Sequence, residues 1–62
     1  MTFAIVETSG TDTFFLNHSC MSTLSFGSED MAWTTDDAEK ADCMLTRCQR
    51  RHPEDTITLE VL

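Results

Sequence analysis

Residues 34–51 read TTDDAEKADCMLTRCQRR, and their apolar side chains recur with the period of an α-helix. At about 100° per residue, one stripe holds the small and apolar residues Ala38, Ala41, Met44, Leu45 and Cys48. The opposite side is charged or polar. Pro53 disfavours helical geometry in the residue before it, so the helix should end near Arg51 or His52. The sequence therefore predicts one amphipathic helix over residues 35–51.

The predicted start of this helix depends on Thr34 and Asp37, which have the spacing of a capping box. In such a box a hydroxyl accepts from the first free N–H groups, and the acid three residues later reaches back. We therefore expect Thr34 to be the N-cap.

Alternating sequences on both sides of the helix predict strands. Residues 2–8 (TFAIVET) and 13–17 (TFFLN) are separated by the turn-forming residues SGTD, which indicates a hairpin. Residues 22–26 (STLSF) predict a third, less regular strand. Residues 56–62 (TITLEVL) predict the last strand, with Ile57, Leu59 and Val61 directed inward. The order β-β-(β)-α-β is typical of an α+β fold, a small antiparallel sheet with one helix across one face.

We expect one core formed by apolar residues from both the helix and the strands: Phe3, Ile5, Trp33, Leu45, Leu59 and Val61. A chain of 62 residues is one small domain, residues 1–62, and such a domain buries only about 60% of its unfolded surface. Self-association would add buried area, so we expect a monomer or a weak homodimer. No apolar run reaches the 18 residues or so that span a membrane, and residues 1–6 lack a basic segment. The expected location is the cytoplasm, without membrane contact.

Metal binding needs consideration because three cysteines and two histidines are present. Cys48 and His52 are four residues apart and could share a helical face, but Cys43 and Cys48 differ by about 140° around the helix. No Cys-x-x-Cys pair exists. We expect no metal and no cofactor, and a zinc-stabilised mini-domain remains as an alternative.

Catalysis has weak support in the sequence. Cys48–His52 and His18–Cys20 could be written as nucleophile and base, but neither pair has an evident third group to orient the base. Gly-x-Ser-x-Gly and glycine-rich phosphate loops are absent. The sequence therefore predicts a protein that is not an enzyme.

The strongest functional indication is charge: eleven acids against four bases give a net charge of −7. Six acids lie in the segment that enters the helix, with one base, Lys40, among them: Glu29, Asp30, Asp36, Asp37, Glu39 and Asp42. This charge opposes direct nucleic-acid binding. The arginines Arg47, Arg50 and Arg51 form a small basic group, which the helix dipole and pairing with Glu54 and Asp55 would explain.

Two interpretations of the acidic segment remain open. In the first interpretation, the acidic segment is a solvated surface that keeps a small protein soluble. Alternatively, an acidic loop and a rigid acidic helix imitate the charge of duplex DNA, about one per 1.7 Å of axis, and bind the basic groove of a DNA-binding protein complex.

The chain resembles the small, acidic, single-domain proteins of bacteriophages and mobile elements, among them many anti-CRISPR proteins. The segments that carry this resemblance are TFAIVETSG, TFFLN, SEDMAWTTDDAEKAD and TITLEVL. It implies a non-enzymatic inhibitor that binds a type I CRISPR effector complex (Cascade) and blocks access to target DNA. The six acids would be the contacts, and the arginine group departs from a uniformly acidic DNA mimic. The alternative is an interaction module of phage or bacterial origin that uses its sheet edge or the region around Trp33.

Overall fold

The computed structural model describes all 62 residues and contains one long helix and five strands. In chain order the elements are β1 (Phe3–Ser9), β2 (Asp12–Leu16), β3 (Phe26–Gly27), a 3₁₀ turn (Glu29–Met31), β4 (Thr34–Thr35), α1 (Ala38–Arg51) and β5 (Thr56–Val61). Every strand pair is antiparallel. The predicted α+β class, a small antiparallel sheet with one helix, is confirmed.

β1 is the central strand of the sheet. β5 pairs with residues 3–8 of β1 and so occupies one of its two edges. β2 pairs with residues 6–9 and β4 with residues 3–4, so these two strands share the other edge. β3 extends the sheet beyond β2. As a result β5 has a single strand partner, and its outer edge is unpaired.

The predicted hairpin is formed by β1 and β2. Ser9 and Asp12 are its last paired residues, so Gly10 and Thr11 form a two-residue loop. Gly10 has a φ of 62°, the left-handed conformation that glycine adopts without steric cost.

The core lies between α1 and the face of the sheet that carries Ile5. Its buried members come from three strands, the helix and the segment after β2: Ile5, Leu16, Leu24, Cys48 and Ile57. Half-buried residues pack around them: Met21, Phe26, Trp33, Met44 and Leu45. On the predicted helical stripe, Ala41 and Cys48 are fully buried, whereas Ala38 is exposed. α1 has 14 residues, and no helix in this structure has the length and apolar character needed to span a membrane.

The expectation that Leu59 and Val61 belong to the core is wrong. They are 36% and 54% exposed, and Ile57 is the one buried residue of β5. A helix is about 10 Å wide and strands are about 4.8 Å apart, so one helix covers about two strands. Ile57, near the start of this outermost strand, is covered by α1, whereas Leu59 and Val61 lie farther along it, opposite Ile5 and Phe3, where the cover is incomplete.

The third strand is shorter than predicted and begins later. The expected strand over residues 22–26 is reduced to Phe26–Gly27. Leu24 has a φ of 53°, which interrupts an extended backbone. The N–H groups of Thr23 and Ser25 both donate to the carbonyl of Cys20, so this segment is a turn.

Candidate partner-binding surface

The acidic entry to α1 is shaped by Asp37, which is the N-cap of the helix. Its Oδ1 accepts from the N–H groups of Glu39 at 2.9 Å and Lys40 at 3.2 Å. The Oγ1 of Thr35 in turn accepts from the N–H of Asp37 at 3.1 Å. Asp37 therefore has a structural role, and its carboxylate is partly used inside the molecule.

The predicted N-cap at Thr34 is wrong. Thr34 and Thr35 form β4 and pair with Ala4 and Phe3 of β1, which holds their backbone extended. The helix consequently begins at Ala38, three residues later than the sequence indicated.

The other acids near α1 are free. Asp36, Glu39 and Asp42 are exposed, and no lysine or arginine nitrogen lies within 4.0 Å of any carboxylate oxygen in the molecule. Glu39 and Asp42 are three residues apart, so they are neighbours on the helix surface. Together with Asp37 they form a group that we call the helix acids: Asp36, Asp37, Glu39 and Asp42.

Glu29 and Asp30 form a second group, which we call the turn acids. They lie on the 3₁₀ turn, and both are exposed. The turn is held beside the end of β2, because the N–H of His18 donates to the carbonyl of Met31 at 3.0 Å. The structure thus places the six predicted contact residues on one continuous segment but in two groups, separated by residues 31–35.

A groove of about 450 Å³ lies beside the helix acids, where Trp33 meets α1. Its lining combines apolar, acidic and basic side chains: Trp33, Asp37, Glu39, Lys40, Cys43, Met44 and Arg47. The sequence indicates the region around Trp33 as a possible contact, but a groove there depends on how Trp33 meets α1 in the fold. Because Lys40 and Arg47 share it with two helix acids, this part of the surface carries both signs of charge.

The expected pairing of the arginines with Glu54 and Asp55 is wrong. The single close pair of opposite ionisable groups is His52 Nδ1 and Asp55 Oδ2, at 3.8 Å, and it is an ion pair only when His52 is protonated. Arg50 and Arg51 occupy the last turn of α1 and are exposed. Cations at a helix C-terminus interact favourably with the helix dipole, and this interaction is enough to explain the positions of Arg50 and Arg51.

The cysteine and histidine candidates do not form a common site. Cys48 is fully buried in the core, and Cys43 is exposed. His52 directs its Nε2 to the carbonyl oxygen of Leu24 at 3.0 Å. No group of three or more His, Cys, Asp or Glu side chains is arranged to hold a metal ion.

Sequence reasoning missed a cluster of Glu7, Asp55 and His52 where β1 faces the segment before β5. The pKa of Glu7 is raised above its usual value of 4.5, first by burial and then by a hydrogen bond to Asp55 and the charge of that residue. His52 acts in the opposite direction and lowers it. The alternation of β1 could have indicated this cluster, because Glu7 lies two residues after Ile5 and therefore on the face of the sheet that carries the helix.

Comparison with protein-family models, with curated proteins and with solved structures found no match for this chain.

Proposed function

We propose that this protein is a non-enzymatic, cytoplasmic inhibitor that binds the basic groove of a DNA-binding protein complex and blocks access to target DNA. A type I CRISPR effector complex (Cascade) is the partner that the resemblance to anti-CRISPR proteins implies. The observation that carries the proposal is that the helix acids and turn acids are exposed and have no basic partner within the molecule.

Unpaired carboxylates on a fixed backbone suit this role. Glu39 and Asp42 lie in a 14-residue helix that packs on the sheet, Asp36 and Asp37 lie directly before it, and the turn acids are anchored beside β2. A partner that contacts them need not displace internal ion pairs. Complementary charge of this kind raises association rates and makes binding sensitive to salt.

The dimensions limit how much DNA can be imitated. The longest extent of the molecule is 27 Å, and one DNA strand carries about one phosphate per 3.4 Å, so about eight phosphates span that length. Six carboxylates and Lys40 give a net charge of −5 over residues 29–42, which approaches the charge of one strand and not that of a duplex. We therefore propose that the protein replaces one phosphate backbone in the groove.

The test uses purified Cascade and measures binding of the protein and protection from target DNA, at several salt concentrations. Asp36→Asn, Glu39→Gln and Asp42→Asn combined should abolish binding and inhibition. Asp37 is left unchanged because it caps the helix.

A matched control removes the same charge elsewhere, with Asp12→Asn, Glu54→Gln and Glu60→Gln combined. All three positions are exposed. This variant should bind and inhibit nearly as the parent does. Equal activity of the parent and the helix-acid variant would refute the proposal.

The second candidate function is an interaction module whose apolar contact is the groove beside Trp33. The lining of that groove favours this function, because it includes Trp33, and buried aromatic side chains supply much of the binding energy in many protein interfaces. Trp33 is the single tryptophan, so its fluorescence reports on occupancy of the groove. Binding that resists salt and shifts Trp33 emission would select this function over charge mimicry.

A further inference from the structure

The outer edge of β5 carries backbone groups without partners. The N–H of Leu62 donates to the carbonyl of Thr2 at 2.8 Å, in the register of the β1–β5 pairs. Hydrogen-bonded pairs alternate along an antiparallel ladder, so the even-numbered residues of β5 bond to β1. The N–H and C=O groups of Ile57, Leu59 and Val61 therefore point away from the sheet.

One of these groups is already occupied. The side-chain Nε2 of Gln49 donates to the carbonyl of Ile57 at 3.1 Å, which protects the start of the edge. No hydrogen bond outside the sheet involves the backbone groups of Leu59 or Val61. The open part of the edge is thus centred on these two residues.

Exposed apolar side chains accompany the open backbone groups. Of the five large hydrophobic residues that are exposed, three lie on or next to β5: Leu59, Val61 and Leu62. Natural edge strands are usually protected by lysine, proline, bulges or a covering element. Residues 56–62 contain no lysine or proline, and Glu60 is their one charge.

We propose that β5 pairs antiparallel with β5 of a second copy of this chain, about a twofold axis at Leu59. Leu59 then lies opposite Leu59 of the second copy, and its free N–H and C=O make two hydrogen bonds there. Ile57 lies opposite Val61 on the same face of the sheet. The two sheets become one continuous sheet, and the exposed side chains of Leu59 and Val61 lose contact with water.

The charge pattern selects this register over its neighbours. With the axis at Leu59, each Glu60 lies opposite Thr58 of the other copy. With the axis at Glu60, two carboxylates would be directly opposite each other, which is destabilising. With the axis at Thr58, the central pairs would be Ile57–Leu59, and half of their hydrogen bonds would need the carbonyl of Ile57, which already accepts from Gln49; the central Leu59–Leu59 pair does not use that carbonyl.

The area required is modest. Weak specific interfaces bury up to about 1,200 Å² in total, or about 600 Å² from each copy. That is about 15% of the 4054 Å² surface of one molecule. A reversible, concentration-dependent dimer is the expected result.

Sedimentation equilibrium over a wide range of protein concentration tests the dimer, with folding of each variant checked by circular dichroism. The parent should show a monomer–dimer equilibrium. Leu59→Lys should give a monomer, because two ammonium groups would lie opposite each other at the axis. Phe14→Lys is the matched control, since Phe14 is 38% exposed on the same face of the sheet but lies on β2; it should still dimerise.

Thr58→Lys tests the register by strengthening the dimer, so its result cannot be explained by unfolding of the variant. The new ammonium group would lie opposite Glu60 of the second copy, twice per dimer, so the dimer should become about 2- to 10-fold tighter at low salt. A parent that is monomeric at all concentrations, a folded Leu59→Lys variant that still dimerises, or a Thr58→Lys variant that dimerises more weakly would overturn the proposal.

Discussion

The Nε2–H of His52 donates to the carbonyl oxygen of Leu24 at 3.0 Å and so joins the end of α1 to the turn after β2. Leu24 is a buried residue with a positive φ, a conformation that costs a non-glycine residue roughly 1–2 kcal/mol. The bond from His52 and the burial of the leucine side chain offset that cost. The ring of His52 also meets Phe26 edge-on, with centroids 5.9 Å apart.

Replacing His52 should therefore destabilise the fold. We expect His52→Ala to lower the free energy of unfolding by about 1–3 kcal/mol, because the half-buried carbonyl of Leu24 loses its donor. Urea denaturation measures this change. His18→Ala is the control, since His18 is exposed and the one hydrogen bond of its ring is with the neighbouring Ser19; a similar loss in both variants would contradict the assigned role of His52.

Asp37 and Asp36 give a second matched pair. Asp37→Ala removes the acceptor for two helix N–H groups and should cost about 0.5–2 kcal/mol. Asp36→Ala removes the same charge from the adjacent residue, which makes no cap hydrogen bond, and should change stability by at most about 0.5 kcal/mol. Thermal unfolding of the two variants under the same conditions compares them. An equal change of stability in the two variants would mean that the loss of a negative charge, and not the loss of the cap, determines the stability change.

Leu16 and Phe14 test the core on a single strand. Both face the helix side of β2, but Leu16 is fully buried and Phe14 is 38% exposed. Leu16→Ala should cost about 2–5 kcal/mol, enough to unfold much of a small domain. Phe14→Ala should cost clearly less in the same denaturation experiment. The reverse order would show that the core is centred elsewhere.

How far the sequence predicts the fold can be seen in α1 and β5. The period of Ala41, Met44, Leu45 and Cys48 identified the helix and its buried side, because that pattern depends only on local geometry. The start of the helix could not be predicted, since Thr34 is held extended by pairing with β1. This pairing involves residues distant in sequence.

The exposure of Leu59 and the turn at Leu24 were missed for related reasons. Alternation places Leu59 on the inner face but does not say that β5 is the outermost strand. Nothing in a leucine indicates a positive φ. The exposure of Glu39 and Asp42 follows from the helical period, whereas the contact of Glu7 with Asp55 depends on the path of the chain after α1.

The three free cysteines should react with a thiol reagent in order of exposure. Cys43 is exposed, Cys20 is half-buried, and Cys48 is fully buried with its pKa raised by that burial. The thiolate is the reactive form, so Cys48 should remain unmodified in the native protein at mildly alkaline pH. Mass spectrometry after timed labelling gives the order, and urea should release the third thiol. Labelling of Cys48 at the rate of Cys43 without denaturant would contradict the packing of α1.

The last prediction concerns pH and follows from Glu7. Burial and the neighbouring Asp55 raise its pKa above 4.5 in the folded protein, so the folded state holds this proton more tightly than the unfolded chain does. The resulting stabilisation is complete below pH 4.5 and is lost as the pH rises through the higher pKa of the folded state.

Glu7→Gln keeps the shape of the side chain without ionising. The melting temperature of this variant should therefore exceed that of the parent at pH 7, and the difference should shrink towards pH 4. The matched substitution Glu60→Gln removes the same charge at an exposed position on β5, so the melting temperature of this variant at pH 7 controls for the change in net charge alone. If Glu7→Gln instead lowers the melting temperature at pH 7, the ionised carboxylate stabilises the fold, and its contact with Asp55 is not the dominant interaction.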